Sequence, residues 1–173
     1  LALHARVRAV HPDALLLWAP RHPERFPPVA EQVQHAGLPF ARRSTGALPG
    51  PGDAVFVVDT LGDLLAFYAA ADVAFVGGSL CEVGGHNTLE PAALGVPALV
   101  GPHTFNFADV TRRLLAADAI EQHADADRIG DALLALLDDA PRRARMGAAG
   151  KAEVSALSGA LARTLALAES VLP

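Results

Sequence analysis

Apolar runs alternate with amphipathic runs along the chain, and the order of the two predicts its elements. Residues 1–10 read as a helix. Residues 14–19 (ALLLWA) form a short apolar run closed by Pro20, the pattern of a buried strand. Residues 26–36 are helix-like and stop at Gly37, and 39–43 read as a second strand. A turn-rich loop, TGALPGPGD at 45–53, follows. The pattern then restarts. AVFVV at 54–58 is a strand, 61–70 a helix, and VAFV at 73–76 a strand that runs into Gly77, Gly78 and Ser79. A short helix at 87–94 ends at Gly95, and strand 98–100 leads to a Gly101–Pro102 turn. Helix 107–116, a short strand at 119–122 and helix 127–137 complete the alternation. The Ala-rich tail, 141–172, reads as a packing helix, with Ser158–Gly159 the place where it would break.

Strands separated by helices predict an α/β fold: a Rossmann-like parallel sheet flanked by helices on both faces. Strands of such a sheet are buried on both sides, which accounts for continuous apolar runs in place of alternation. The 173 residues suit a single domain, 1–173.

Composition narrows the class. Hydrophobic residues make up 51% and charged residues 19%, so a sizeable core is available and a disordered chain is excluded. The net charge is −5, against the basic field of a nonspecific nucleic-acid binder. The single cysteine, Cys81, rules out an internal disulfide or a cysteine-based zinc site, and it reads as a buried structural thiol. No apolar run approaches the ~18 residues that span a bilayer. The chain begins at Leu1 with residues that already look helical, so it reads as a fragment of a longer protein.

In an open α/β sheet, ligands bind beyond the carboxyl ends of the strands. Three unusual segments fall there: PRHPERF at 20–26, GGSLCEVGGHNTLE at 77–90 and GPHTFNF at 101–107. Gly84 and Gly85 permit positive φ and close approach to a ligand, and the helix that follows offers free N–H groups and a dipole to a phosphate or carboxylate. The same pair also reads as a plain tight turn. Asn87 and Glu90 have the spacing of a capping box, in which Glu90 would bond the backbone N–H of Asn87; from spacing this reading is favoured over a carboxylate that accepts ribose hydroxyls. Arg21 offers a planar fork to an anion and His22 a further donor, or else they are a surface Arg paired with Glu24 and a turn-filling His. His86 and His103 lack the partners and spacing of a metal site, and no G-x-S-x-G elbow is present.

The runs at 19–26 and 77–107 closely resemble the 3-deoxy-manno-octulosonic acid (Kdo) transferases, whose pattern reads P-R-H-P-E-R-F, then G-G-S, then G-G-H-N-P-L-E-P-A, then G-P-H-x-x-N-F. All four occur in order, and the resemblance extends over essentially the whole chain. Thr88 departs from it, standing where the family often has Pro. The resemblance implies the C-terminal half of a GT-B glycosyltransferase, which holds the nucleotide-sugar donor CMP-Kdo. The acceptor, a lipid A precursor, and the catalytic base would belong to an N-terminal half outside this chain. It further implies no metal or other cofactor, no nucleic-acid partner, and a full-length enzyme at the cytoplasmic face of the bacterial inner membrane, with this fragment itself soluble. By position, Arg21 and His22 would contact the donor phosphate or the Kdo carboxylate. Gly77, Gly78 and Ser79 would line the cleft. Gly84, Gly85, His86 and Asn87 would present N–H and side-chain donors to the anion. Glu90 would hold the ribose hydroxyls, reversing the capping preference, and His103 and Asn106 would border the cleft. Two alternatives stay open: a GT-B UDP-sugar transferase or epimerase domain, and a noncatalytic interaction module with the same fold.

Overall fold

Each apolar run read as a strand forms one, trimmed to the residues that pair. The structure is a computed structural model that describes residues 1–171, with side chains for 1–159. Strands β1 (Leu16–Trp18), β2 (Phe40–Arg42) and β3 (Val55–Val57) make a parallel sheet in the order β1-β3-β2. Leu16 and Phe40 both face Val55 in register. Strands β4 (Ala74–Phe75), β5 (Ala98–Val100) and β6 (Ile120–Gln122) make a second parallel sheet, β4-β5-β6, with Ala98 opposite both Ala74 and Ile120. The chain divides into two compact units, Leu1–Ala71 and Asp72–Pro173, with one sheet in each. The α/β class with parallel pairing is as expected, although pairing falls into two groups of three where one sheet was anticipated.

Burial follows position in the ladder. The central strands β3 and β5 are buried throughout, whereas β1 and β2 are half-buried and β4 and β6 each expose a residue. The expectation that every strand is covered on both faces therefore holds only for the two central ones, because an edge strand has a neighbour on one side alone.

In the first unit, α1 (Ala2–Val10) and α2 (Phe26–His35) supply the apolar cover. Val29 and Val33, one turn apart on α2, pack with Ala54, Val55 and Val57, and Trp18, Leu38 and Phe40 close around them. Each such side chain contributes roughly 1.5–3 kcal/mol when buried. His4 of α1 is also buried, and its Nε2 donates to the Ala54 carbonyl at 2.8 Å, which fixes the tautomer because a carbonyl only accepts. Helix α3 (Leu64–Ala69) behaves differently. Its sequence, LLAFYA, is wholly apolar, yet none of its residues is buried, and Phe67 touches the sheet through a tilted contact with Phe56.

In the second unit, Leu99 of β5, Leu114 of α5 (Ala108–Ala116) and Ile129 and Leu136 of α6 (Ala126–Asp138) are all buried, and α6 packs against β5. Helix α6 starts one residue before the sequence pattern suggests, because Asp125 caps it by accepting the Arg128 N–H at 2.8 Å. Helix α4 (Leu89–Leu94) is two residues shorter at its start than expected, and α7 (Ala140–Val171) packs along it. The break anticipated near Ser158–Gly159 does not occur; α7 runs through it without interruption, since each Gly in an Ala-rich helix lowers propensity by only ~1 kcal/mol. The expected helical end at Leu172 lies outside the described residues. Among the described residues no helix is long and apolar enough to cross a membrane.

Candidate functional site

Two loops at the carboxyl ends of β4 and β5 are joined in the second unit through Ser79. Its hydroxyl donates to the Val76 carbonyl at 2.6 Å and accepts the Gly101 N–H at 2.8 Å. Its own carbonyl accepts the His103 N–H at 2.9 Å. Ser79 is fully buried, so its side chain holds the loops together from inside. A Cβ at Gly101 would collide with the Ser79 carbonyl, and only glycine allows the loops to approach so closely.

The Gly84–Gly85 turn lies over this joint. Both glycines have positive φ, 94° and 74°, as the sequence suggested for a turn. The N–H of Gly85 donates to the Gly78 carbonyl at 2.9 Å, so that amide is engaged within the protein and is not offered to a ligand as expected. The His86 ring lies against Gly78, where an added Cβ would come within 3.2 Å of Cε1 and Nε2. On the other side, a Cβ on Gly85 would stand 3.1 Å from the His103 carbonyl. The structure thus brings Gly77, Gly78, Ser79, Gly84, Gly85, His86, His103 and Asn106 together.

The capping box does not form. Glu90 Oε1 accepts from the side-chain Nδ2 of Asn87 at 3.1 Å, not from its backbone N–H. Asn87 Oδ1 instead accepts the Leu89 N–H at 3.0 Å, a turn closed over two residues that competes with a cap. The residue preceding the helix is Thr88, whose side chain caps nothing and whose buried Oγ1 has no partner. Glu90 is therefore oriented by Asn87 through Oε1. With six residues, α4 supplies little dipole, so any anion here must be held by individual donors. Cys81 is exposed, contrary to the buried thiol expected.

In the first unit, Arg21 and His22 stand in the loop after β1, both exposed, with His22 preceding a short 3-10 turn, Pro23–Arg25. The same edge of that sheet carries a charged network that the sequence reading missed. Asp59 follows β3, and its side chain is only 1% exposed. It accepts from Arg42 Nε at 2.8 Å, from the Ser44 N–H at 2.8 Å and from Ser44 Oγ at 2.6 Å. Burial pushes this carboxyl up, but the two Ser44 bonds and the Arg42 guanidinium together outweigh it and hold Asp59 below the usual carboxylate range. Beside it, Asp63 accepts from Thr60 Oγ1 at 2.8 Å and Arg43 Nε at 3.1 Å, and it too is lowered, chiefly by the Thr60 bond. The available signal was an acidic residue directly after an apolar run, at a strand's carboxyl end. Among the described residues no group of three or more His, Cys, Asp or Glu is placed to hold a metal ion.

Paired loops beyond the carboxyl ends of parallel strands, glycine turns and an oriented carboxylate make a candidate ligand site of the kind open α/β sheets carry. The chain belongs to the group 1 glycosyl transferases, whose family pattern matches residues 49–153. Within that family it is similar to the 3-deoxy-D-manno-octulosonic acid transferase of Bordetella pertussis, 49% identical over 159 residues, which is 91% of this chain and 37% of that protein. The transferase of the same name from Haemophilus influenzae is 42% identical over 173 residues, covering 99% of this chain and 40% of its own length. The chain thus spans about two fifths of the length of these relatives. It also matches the crystal structure of the C-terminal CMP-Kdo binding domain of WaaA from Acinetobacter baumannii, with a TM-score of 0.84 and 35% identity over 89% of this chain and 80% of that one. That likeness confirms the expected fold, the C-terminal half of a GT-B transferase.

Proposed function

We propose that this chain is the donor-binding domain of a Kdo transferase, holding CMP-Kdo while Kdo passes to a sugar hydroxyl of a lipid A precursor. The observation that carries this reading is the likeness to a solved CMP-Kdo binding domain, joined to a Glu90 that is oriented by Asn87 and not consumed by a cap. As the bond to CMP breaks, an oxocarbenium-like centre develops on the sugar and negative charge grows on the departing phosphate. Fixed donors stabilise that charge because they need no reorganisation. The turn at Gly84–Asn87 is assigned that task, and Glu90 is assigned the ribose hydroxyls. Deprotonation of the acceptor, lipid contact and placement at the inner membrane are assigned to the rest of a longer enzyme, so this chain alone binds CMP and transfers nothing.

Thermal shift with CMP against UDP tests the reading. A ligand that binds only the native state at 100 times its Kd stabilises by about 2.7 kcal/mol. CMP is expected to raise the melting temperature well above UDP at equal concentration; equal or greater protection by UDP overturns the assignment. Glu90→Ala is expected to weaken CMP by about 1.5–3 kcal/mol through loss of charge-assisted bonds, with the ligand-free melting temperature unchanged.

A further inference from the structure

We propose that Asn106 is the positioning residue of this site: it takes three consecutive carbonyls of the Gly84–Gly85 turn and thereby aims the amides on the turn's other side. The proposal rests on the reading that this turn holds the nucleotide's phosphate.

The geometry is local and complete. Asn106 Nδ2 donates to the Val83 carbonyl at 2.9 Å and, at a longer 3.4 Å, to the Gly85 carbonyl. Between them, the Gly84 carbonyl accepts the backbone N–H of Asn106 at 3.0 Å. One residue, more than twenty positions away in sequence, therefore receives Val83, Gly84 and Gly85 in succession. No peptide bond among the described residues is cis. In a trans peptide the N–H points opposite to the C=O of the same unit. Fixing those three carbonyls consequently fixes the N–H directions of Gly84, Gly85 and His86. The Gly85 N–H is taken by the Gly78 carbonyl at 2.9 Å and is no donor to the ligand, so its exchange reports only whether the turn is held.

The clamp also accounts for the glycine at position 84. A Cβ there would lie 2.6 Å from Asn106 Nδ2 and 2.5 Å from the Phe105 ring, in addition to the positive φ of 94°. The Asn106 amide nitrogen already serves two carbonyls. Its effect on an anion is exerted through the turn, by setting donors in place before the ligand arrives. This differs from a residue that merely borders the cleft and touches the ligand.

Three measurements decide the matter. Asn106→Ala is expected to weaken CMP binding at least tenfold by calorimetry, with a melting temperature within a few degrees of wild type because Asn106 is exposed. In the ligand-free protein, amide hydrogen exchange at Gly85 is expected to quicken at least tenfold in that variant. Asn106→Asp keeps the shape but turns carboxylate lone pairs toward the Val83 and Gly85 carbonyls. At pH 7.5 it is expected to bind CMP no better than the Ala variant. Relative to wild type at each pH, its affinity is expected to recover as acidification returns a proton that can be donated. Unchanged Gly85 exchange in Asn106→Ala together with lost CMP affinity would mean direct ligand contact and overturn the proposal, as would an Asp variant that follows wild type at every pH. Wild-type protein that fails to bind CMP removes the functional reading instead, and the ligand-free exchange still decides whether the clamp exists.

Discussion

The two sheets finish their carboxyl edges in opposite ways. In the first unit, Asp59, Arg42, Ser44, Asp63 and Arg43 form a charged network around a buried carboxylate. In the second, Ser79, Gly101, Gly84, Gly85 and Asn106 are joined by neutral bonds in which backbone groups take most of the places. A charge that is fully satisfied fixes a loop firmly but has little left for a ligand. Neutral backbone turns can be held just as firmly from one side while their other side faces outward. The charged network ties down the loops after β2 and β3; the neutral turn of the second unit is the surface proposed here to present donors.

Asp59→Ala breaks this contrast most strongly. It strips Arg42 and two Ser44 donors of their acceptor, and removing one partner of a buried pair is expected to cost about 3 kcal/mol, less than the full buried value because Arg42 is partly exposed. Urea unfolding at pH 7 measures it. The effect carries a pH signature. A carboxyl held below its unfolded value of about 3.9 stabilises fully above that pH and loses its contribution as pH falls through the lowered native value. Wild type and variant should therefore converge in acid. His4, whose pKa burial lowers, adds an earlier loss common to both: below about pH 6.5 the unfolded imidazole takes up a proton that the buried ring does not.

Gly84→Ala tests the second edge. The strained φ and the contacts with Phe105 and Asn106 are expected to cost about 2 kcal/mol, with CMP protection abolished. A variant that binds CMP normally would mean the turn is not the presenting surface. The smallest effect is a gain. Thr88→Val removes a buried hydroxyl without a partner and is expected to stabilise by about 1 kcal/mol, leaving CMP protection intact. The Pro that the resembled pattern carries at this position likewise has no hydroxyl to leave unpaired.

Short-range physics made the elements legible. Apolar runs marked β1, β3, β4 and β5, and Gly37 and Gly95 marked helix ends, because both signals lie in a few adjacent residues. The loops that gather at the site were legible for the same reason, since strand order sends their ends to one edge of each sheet. What could not be read was pairing across distance. Spacing suggested a capping box at Asn87 and Glu90, but the competing Asn87–Leu89 turn differs from it only in which donor is accepted. The Asn106 clamp and the Ser79 joint connect residues more than twenty positions apart, and no local pattern encodes which carbonyl an amide will find. Asp59 was missed because a carboxylate after a strand looks like an ordinary loop residue until Arg42 and Ser44 are seen to enclose it.

Helix α3 has a practical consequence. Leu61 just before it is 70% exposed and Leu65 within it 53%, so an oily strip faces water there. Such a strip attracts its like. Concentrated stocks should therefore turn cloudy at temperatures well below the unfolding transition, and a mild nonionic detergent should clear them without loosening the fold.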